Sequence, residues 1–321
     1  MTNSKNDNID VYAQDSPQVL KSINIQGRQM NCSVVTSDKV FIGCRDRRVF
    51  IYNKFSLELL KTLEVPESVH CMCTLSNNTE VAIGMTDGHV IILGSDSDLP
   101  SQSQGTQIKN AGHLRDIGGI WSICAINNDT QLALGCISGM YILDIGVTSL
   151  TRTGEKYLED GNIWNVVEYD VNKIACTMWN EPHIYTIDRN LSKSKRKPEE
   201  IKDKDKDNDH ITDLITIPSY HPQACPFLIK RGATKLELID IRHRESYILY
   251  DDDNNRFGYN KVAMTDRGNK RFQILFVANE GETDQIIKRY DWPNVFEEGL
   301  RKIVNLRCKR EDNSFLGRIF N

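Results

Sequence analysis

Short apolar runs, broken every few positions by Asn, Asp, Gly or Ser, fill most of the 321-residue chain. That pattern belongs to β-strands joined by turns, because helices would need longer runs with a 3.6-residue period. Three segments align with one another. They run from Val69 to Met85 (VHCMCTLSNNTEVAIGM), from Ile120 to Cys136 (IWSICAINNDTQLALGC) and, one residue shorter, from Ile163 to Met178 (IWNVVEYDVNKIACTM). Each reads as an alternating, half-buried strand, a polar turn and a second strand. The turns are Asn77-Asn78, Asn127-Asn128-Asp129 and Asp170-Val171-Asn172. A third strand follows in RVFIYN from Arg48, HVIILG from His89, MYILD from Met140 and HIYTID from His183, and a fourth in LELLKTLEV from Leu57.

First strands are expected to begin at Met30, Val69, Ile120, Ile163, Ile211, Tyr259 and Ile303, at intervals of 39 to 51 residues. That spacing fits the ~40–50 residues of a four-stranded propeller blade. The copies at Ile211 and Tyr259 are weaker than the first four. The last is incomplete: Ile303–Asn321 supplies a first and a second strand, with Gly317 placed like Gly135. Asp10–Ile25 parallels Phe50–Val65 and reads as a third and a fourth strand. Pairing the two chain ends would close a ring and leave no exposed strand edge. The fold class expected is therefore all-β: a seven-bladed β-propeller of four-stranded antiparallel blades, closed by its own termini. It would be a single domain over residues 9–321 after a disordered stretch at 1–8. Two insertions stand out. Ser95–Lys109 is Ser/Gln-rich and apolar-poor, and Leu191–His210 is a charge run expected to be disordered.

On these repeats the chain resembles a divergent WD40-repeat protein over roughly residues 9–321. The best copy opens on Gly112-His113, continues through Ile120-Trp121-Ser122-Ile123 and closes its third strand on Asp144; Asp188, Asp240 and Asp291 end equivalent strands. The Trp-Asp dipeptide itself is missing, with Leu143, Ile187 and Ile239 where tryptophan is expected. The resemblance therefore implies the architecture and a protein-binding role, while the family's side-chain hydrogen-bond network is mostly lost. Packing between blades must carry stability instead.

Composition is that of an ordinary globular protein, 39% hydrophobic and 26% charged, and a net charge of −4 offers no basic field for nucleic acid. No apolar run approaches a membrane span, and the first residues, MTNSKNDNID, are polar, so a cytoplasmic or nuclear protein is expected. Lys193–Pro198 resembles a short nuclear-import signal. Seven of the nine cysteines lie in strand-like apolar text and read as buried reduced thiols. Cys71 and Cys73 point to one face of a strand, but no second pair completes a zinc-finger set, so no metal or other cofactor is expected.

Catalytic motifs are missing: there is no phosphate-cradling glycine loop, no G-x-S-x-G and no H-E-x-x-H. The expectation is a non-catalytic scaffold that binds a peptide or protein partner, alone or as one subunit of a larger complex. The second residue of each first strand should stand at the top rim: Asn31, His70, Trp121, Trp164, Thr212, Asn260 and Val304. Large aromatics at a rim are enriched at binding hot spots. The loops from second to third strand open on the same face and add Arg45, Arg47 and Trp179. The two arginines suit an acidic or phosphorylated segment. Two alternatives are a propeller enzyme with a central-channel site and a phosphoinositide-binding propeller. The latter rests on Lys230-Arg231-Gly232, which resembles a basic lipid-binding motif but sits in a second strand.

Overall fold

A computed structural model describes residues 8–12, 19–24, 30–75, 77–94, 107–146, 149–158, 161–179, 181–190, 198–201, 211, 213–216, 227–231, 235–241, 245–251, 263–266, 272–280 and 284–291. The chain divides into two compact units, Met1–Trp179 with Ile187–Pro198, and Asn180–Thr186 with Glu199–Asn321. Among the described residues no helix is long and apolar enough to cross a membrane.

The first unit begins with an antiparallel pair, β1 (Asn8–Tyr12) and β2 (Val19–Asn24), with Val11 opposite Lys21. Three four-stranded antiparallel sheets follow, each ordered as in the chain. The first holds β3 (Met30–Val35), β4 (Lys39–Cys44), β5 (Arg48–Asn53) and β6 (Leu59–Glu64). The second holds β7 (Val69–Thr74), β8 (Val81–Met85), β9 (His89–Gly94) and β10 (Gln107–His113). The third holds β11 (Ile120–Ile126), β12 (Gln131–Cys136), β13 (Gly139–Ile145) and β14 (Leu150–Tyr157). The next repeat opens with the hairpin β15 (Ile163–Asp170) and β16 (Lys173–Met178). First strands thus start at Met30, Val69, Ile120 and Ile163, the first four of the seven positions the repeat predicts, while the fifth first strand starts at Asp213, two residues beyond the predicted Ile211.

In the second unit, β17 (Ile184–Asp188) pairs its first three residues with β18 (Glu199–Ile201), Ile184 opposite Ile201. A four-stranded sheet follows, of β19 (Asp213–Thr216), β20 (Phe227–Arg231), β21 (Lys235–Asp240) and β22 (Glu245–Asp251). A three-stranded sheet follows that, of β23 (Ala263–Asp266), β24 (Phe272–Glu280) and β25 (Asp284–Asp291). The anchors at Tyr259 and Ile303, and the C-terminal strands expected to close a ring, lie outside the described residues.

Three details differ from the sequence reading. Gln107, Ile108 and Lys109, read as the end of an insertion, belong to β10, where Ile108 stands opposite Leu93. His113 accordingly ends the second sheet; it does not open the third. Within the charge run, Glu199–Ile201 forms β18 with Ile201 buried. In both places the unpaired N–H and C=O groups of a third strand supply a ladder that local composition does not reveal.

The third difference concerns burial. Second and third strands are buried on both faces, VAIGM at Val81–Met85 throughout, whereas β6 alternates exposed and half-buried positions. The reason is stacking. Val81, Ile83, Met85, Ile91 and Leu93 pack with Phe41, Val49 and Ile51 of the first sheet. The alternate residues Ala82, Val90 and Ile92 pack with Ile120, Leu132, Leu134, Tyr141 and Leu143 of the third. At roughly 1.5–3 kcal/mol per fully buried aliphatic side chain, these two interfaces outweigh surface ion pairs worth about 0–1 kcal/mol each.

Glycine sets how closely the sheets approach. A Cβ on Gly43 would lie 2.4 Å from Val69 Cγ1, one on Gly84 2.8 Å from Ile120 Cγ2, and one on Gly135 2.9 Å from Ile163 Cγ2. In each case a glycine of one second strand receives the first residue of the following first strand. The cysteines fit the same dry interior: Cys32, Cys44, Cys71, Cys136 and Cys176 are buried thiols. Burial pushes Cys136 and Cys176 far up and Cys124 up to about 11.

The turn Asn127-Asn128-Asp129 takes three left-handed residues in succession, φ 54°, 51° and 61°, a conformation that, after glycine, Asn and Asp tolerate best. Glu168 on β15 holds it, accepting the Asn127 backbone N–H with both carboxylate oxygens at 3.1 and 3.2 Å. Desolvation raises the Glu168 pKa, against the opposing pull of the Asn127 and Asn172 N–H groups and of Arg189.

Two predictions follow from this packing. Gly84→Ala should cost about 1–3 kcal/mol in urea unfolding, and adding Ile120→Ala should cost less than the sum of the two singles, since both act at one contact. For Glu168 the folded pKa is raised, so its contribution is present at low pH and lost as pH rises through that value. Melting curves between about pH 4 and 7 should therefore show Glu168→Gln gaining on the wild type as pH rises.

Candidate functional site

The first strands β3, β7, β11 and β15 lie side by side in the first unit. Each carries the same irregularity one residue from its start. Met30 pairs with Cys44 and Cys32 with Gly43, leaving Asn31 out of the ladder. In the same way His70 is skipped between Val69 and Cys71, Trp121 between Ile120 and Ser122, and Trp164 between Ile163 and Asn165. A bulge of this kind frees one residue from pairing and re-aims its side chain. The four described members of the expected rim are therefore the four bulged residues.

Three of them meet. The His70 and Trp121 rings stand edge to face at 4.3 Å between centroids and 84°. Trp121 and Trp164 are 5.1 Å apart at 35°, and Trp164 and Trp179 4.3 Å apart at 57°. The result is a continuous aromatic strip, half-buried at His70, Trp121 and Trp164 and 38% exposed at Trp179. Trp179 follows β16 directly, and its N–H donates to Asn162 O at 2.8 Å. Thr86 and Ile137 make the same bond to Ser68 O and Gly119 O after β8 and β12. Ile137 is also exposed, at 48%. Two polar atoms at this edge, Trp121 Nε1 and Asn162 Oδ1, are buried with no hydrogen-bond partner among the described residues.

The remaining candidates stand apart from the strip. Asn31 Nδ2 donates to Val69 O at 2.7 Å, so it ties one first strand to the next. Arg45 is exposed in the β4–β5 turn. Arg47, in the same turn at φ 63°, pairs with Glu67 at 3.2 Å. Thr212, Asn260 and Val304 lie outside the described residues. Lys230 and Arg231 end β20, a second strand, as expected. The bulge itself was not anticipated: alternation in HCMCT and WSICAI continues through it, so its only sequence signal is a polar or aromatic residue repeated at the second position.

No protein-family model matches the sequence, and no curated protein does. Among solved structures, the chain is similar to the β-propeller domain of Cps50 (Swd1) from Myceliophteria thermophila. That likeness has 12% identity and a TM-score of 0.42, and covers 50% of this chain and 54% of that one. The chain thus spans about half the length of that domain.

Proposed function

We propose that this protein is a non-catalytic interaction scaffold that binds a peptide or protein partner on the aromatic strip His70–Trp121–Trp164–Trp179. The observation that carries the reading is the unbroken ring contact from β7 to the end of β16. Tryptophans held rigid by one another lose little entropy on binding, and such residues dominate interface energies. Arg45 and Arg47, in the β4–β5 turn and with Arg47 61% exposed at its side chain, would serve an acidic or phosphorylated segment. The cellular location that goes with this role is the cytoplasm or nucleus.

The same reading takes the chain as a closed seven-bladed propeller. Support comes from the sheet repeat and from β1–β2, a two-stranded pair that precedes the first complete sheet. The third and fourth strands of the last blade would be β1 and β2, with Ile303–Asn321 as the first and second.

Two experiments test these statements. Partners that co-purify with the wild-type chain should be lost from Trp121→Ala/Trp164→Ala at unchanged melting temperature, with affinity reduced roughly 30-fold for each ~2 kcal/mol hot spot removed. Undiminished retention would refute the site. Deleting residues 1–25 should lower the melting temperature of the whole protein, because an open ring exposes strand edges; a normal melt would refute the closure.

A further inference from the structure

A second group of side chains meets where β8 turns into β9, apart from the aromatic strip. Asp87 lies in the turn, His89 opens β9 and His113 closes β10. His113 stands opposite His89 in the antiparallel register, so the pleat aims the two imidazoles to one side, and Asp87 reaches His89 from the turn. The imidazoles stack at 3.8 Å between centroids and 9° between planes. Asp87 Oδ2 lies 2.6 Å from His89 Nδ1, and Asp87 Oδ1 accepts the His89 backbone N–H at 3.1 Å. His113 Nε2 is 3.2 Å from the Asp87 carbonyl oxygen.

The backbone beneath is held firmly. Gly88 takes φ +91°, and a Cβ there would lie 2.4 Å from Leu114 O. Leu114 N donates to Gly88 O at 3.1 Å, and Thr86 N to Ser68 O at 3.1 Å. Such a corner carries its side chains with little backbone freedom to lose on ligation.

We propose that Asp87, His89 and His113 form a binding site for a divalent transition-metal ion of the zinc type. One donor atom from each lies within 4.8 Å of the other two. Tetrahedral zinc, with donors at 2.0–2.2 Å, needs them roughly 3.3 Å apart, so ligation would turn the stacked imidazoles out of parallel and draw the donors together. Two imidazoles with one carboxylate suit zinc and its neighbours; calcium and magnesium prefer sets made of oxygen. His113 is exposed and the other two are half-buried. A bound ion would keep a coordination position open to water or to a donor from a docked partner.

The test uses the full chain, free of any affinity tag and stripped with EDTA, titrated calorimetrically with Zn²⁺ and with Mg²⁺. His89→Gln and His113→Gln are compared with the wild type, because other histidines and cysteines bind zinc weakly. The wild type should take up one equivalent of Zn²⁺ that Mg²⁺ does not compete for. Each variant should melt normally without metal and bind that equivalent at least about tenfold more weakly. Histidine side-chain NMR of the wild type reads the same site without mutation, and His89 and His113 should shift together on adding Zn²⁺. Wild-type affinity in both variants, or no joint shift of the two rings, would overturn the site.

Discussion

How near one sheet can come to the next is decided at a single recurring contact, in which a side chain opening a first strand lies against a glycine of the preceding second strand. Val69 on Gly43, Ile120 on Gly84 and Ile163 on Gly135 repeat it three times. Any side chain larger than hydrogen would push the sheets apart, and the faces of β8 and β9 would lose the partners that bury them on both sides. Dispersion contacts fall off within an ångström of separation, so these three positions govern the packing of nearly every large aliphatic residue around them. The fourth copy has Thr177 at this place, fully buried and accepting a hydrogen bond from Asn165 Nδ2 at 3.3 Å.

Much of this arrangement was legible in the sequence. The starts of β3, β7, β11 and β15 fall where the repeat puts them, because β-branched or apolar openings and polar turns recur at fixed offsets. Asn127-Asn128-Asp129 announces its left-handed turn by residue type alone. What escaped was decided by pairing. Gln107–Lys109 and Glu199–Ile201 have the composition of loops, yet both join a ladder whose donors and acceptors would otherwise stay open. Double-sided burial of second strands also escaped an alternation argument, since a continuous run such as VAIGM marks a strand covered on two faces.

The aromatic strip was partly legible. Position two of each first strand identified His70, Trp121 and Trp164, and the second-to-third-strand loop identified Trp179. Their mutual contact follows from first strands lying side by side, which no local pattern states. The Asp87, His89 and His113 group was invisible for a related reason: His113 lies 24 residues beyond His89, and only the β9–β10 register makes them neighbours. Asn31 and Arg47 read as contact residues; in the structure Asn31 bonds Val69 O, and Arg47, still exposed, pairs with Glu67.

The bulge at position two has an evolutionary consequence. A residue outside the ladder contributes no backbone pairing to the sheet and leaves the adjacent glycine contact untouched. Asn, His and Trp accordingly occupy this one position in four sheets built on the same frame. Such a position can be rewritten one sheet at a time without re-registering a strand. The surface and the frame beneath it are thus separable traits, and a lineage could exchange one partner for another while inheriting the same core.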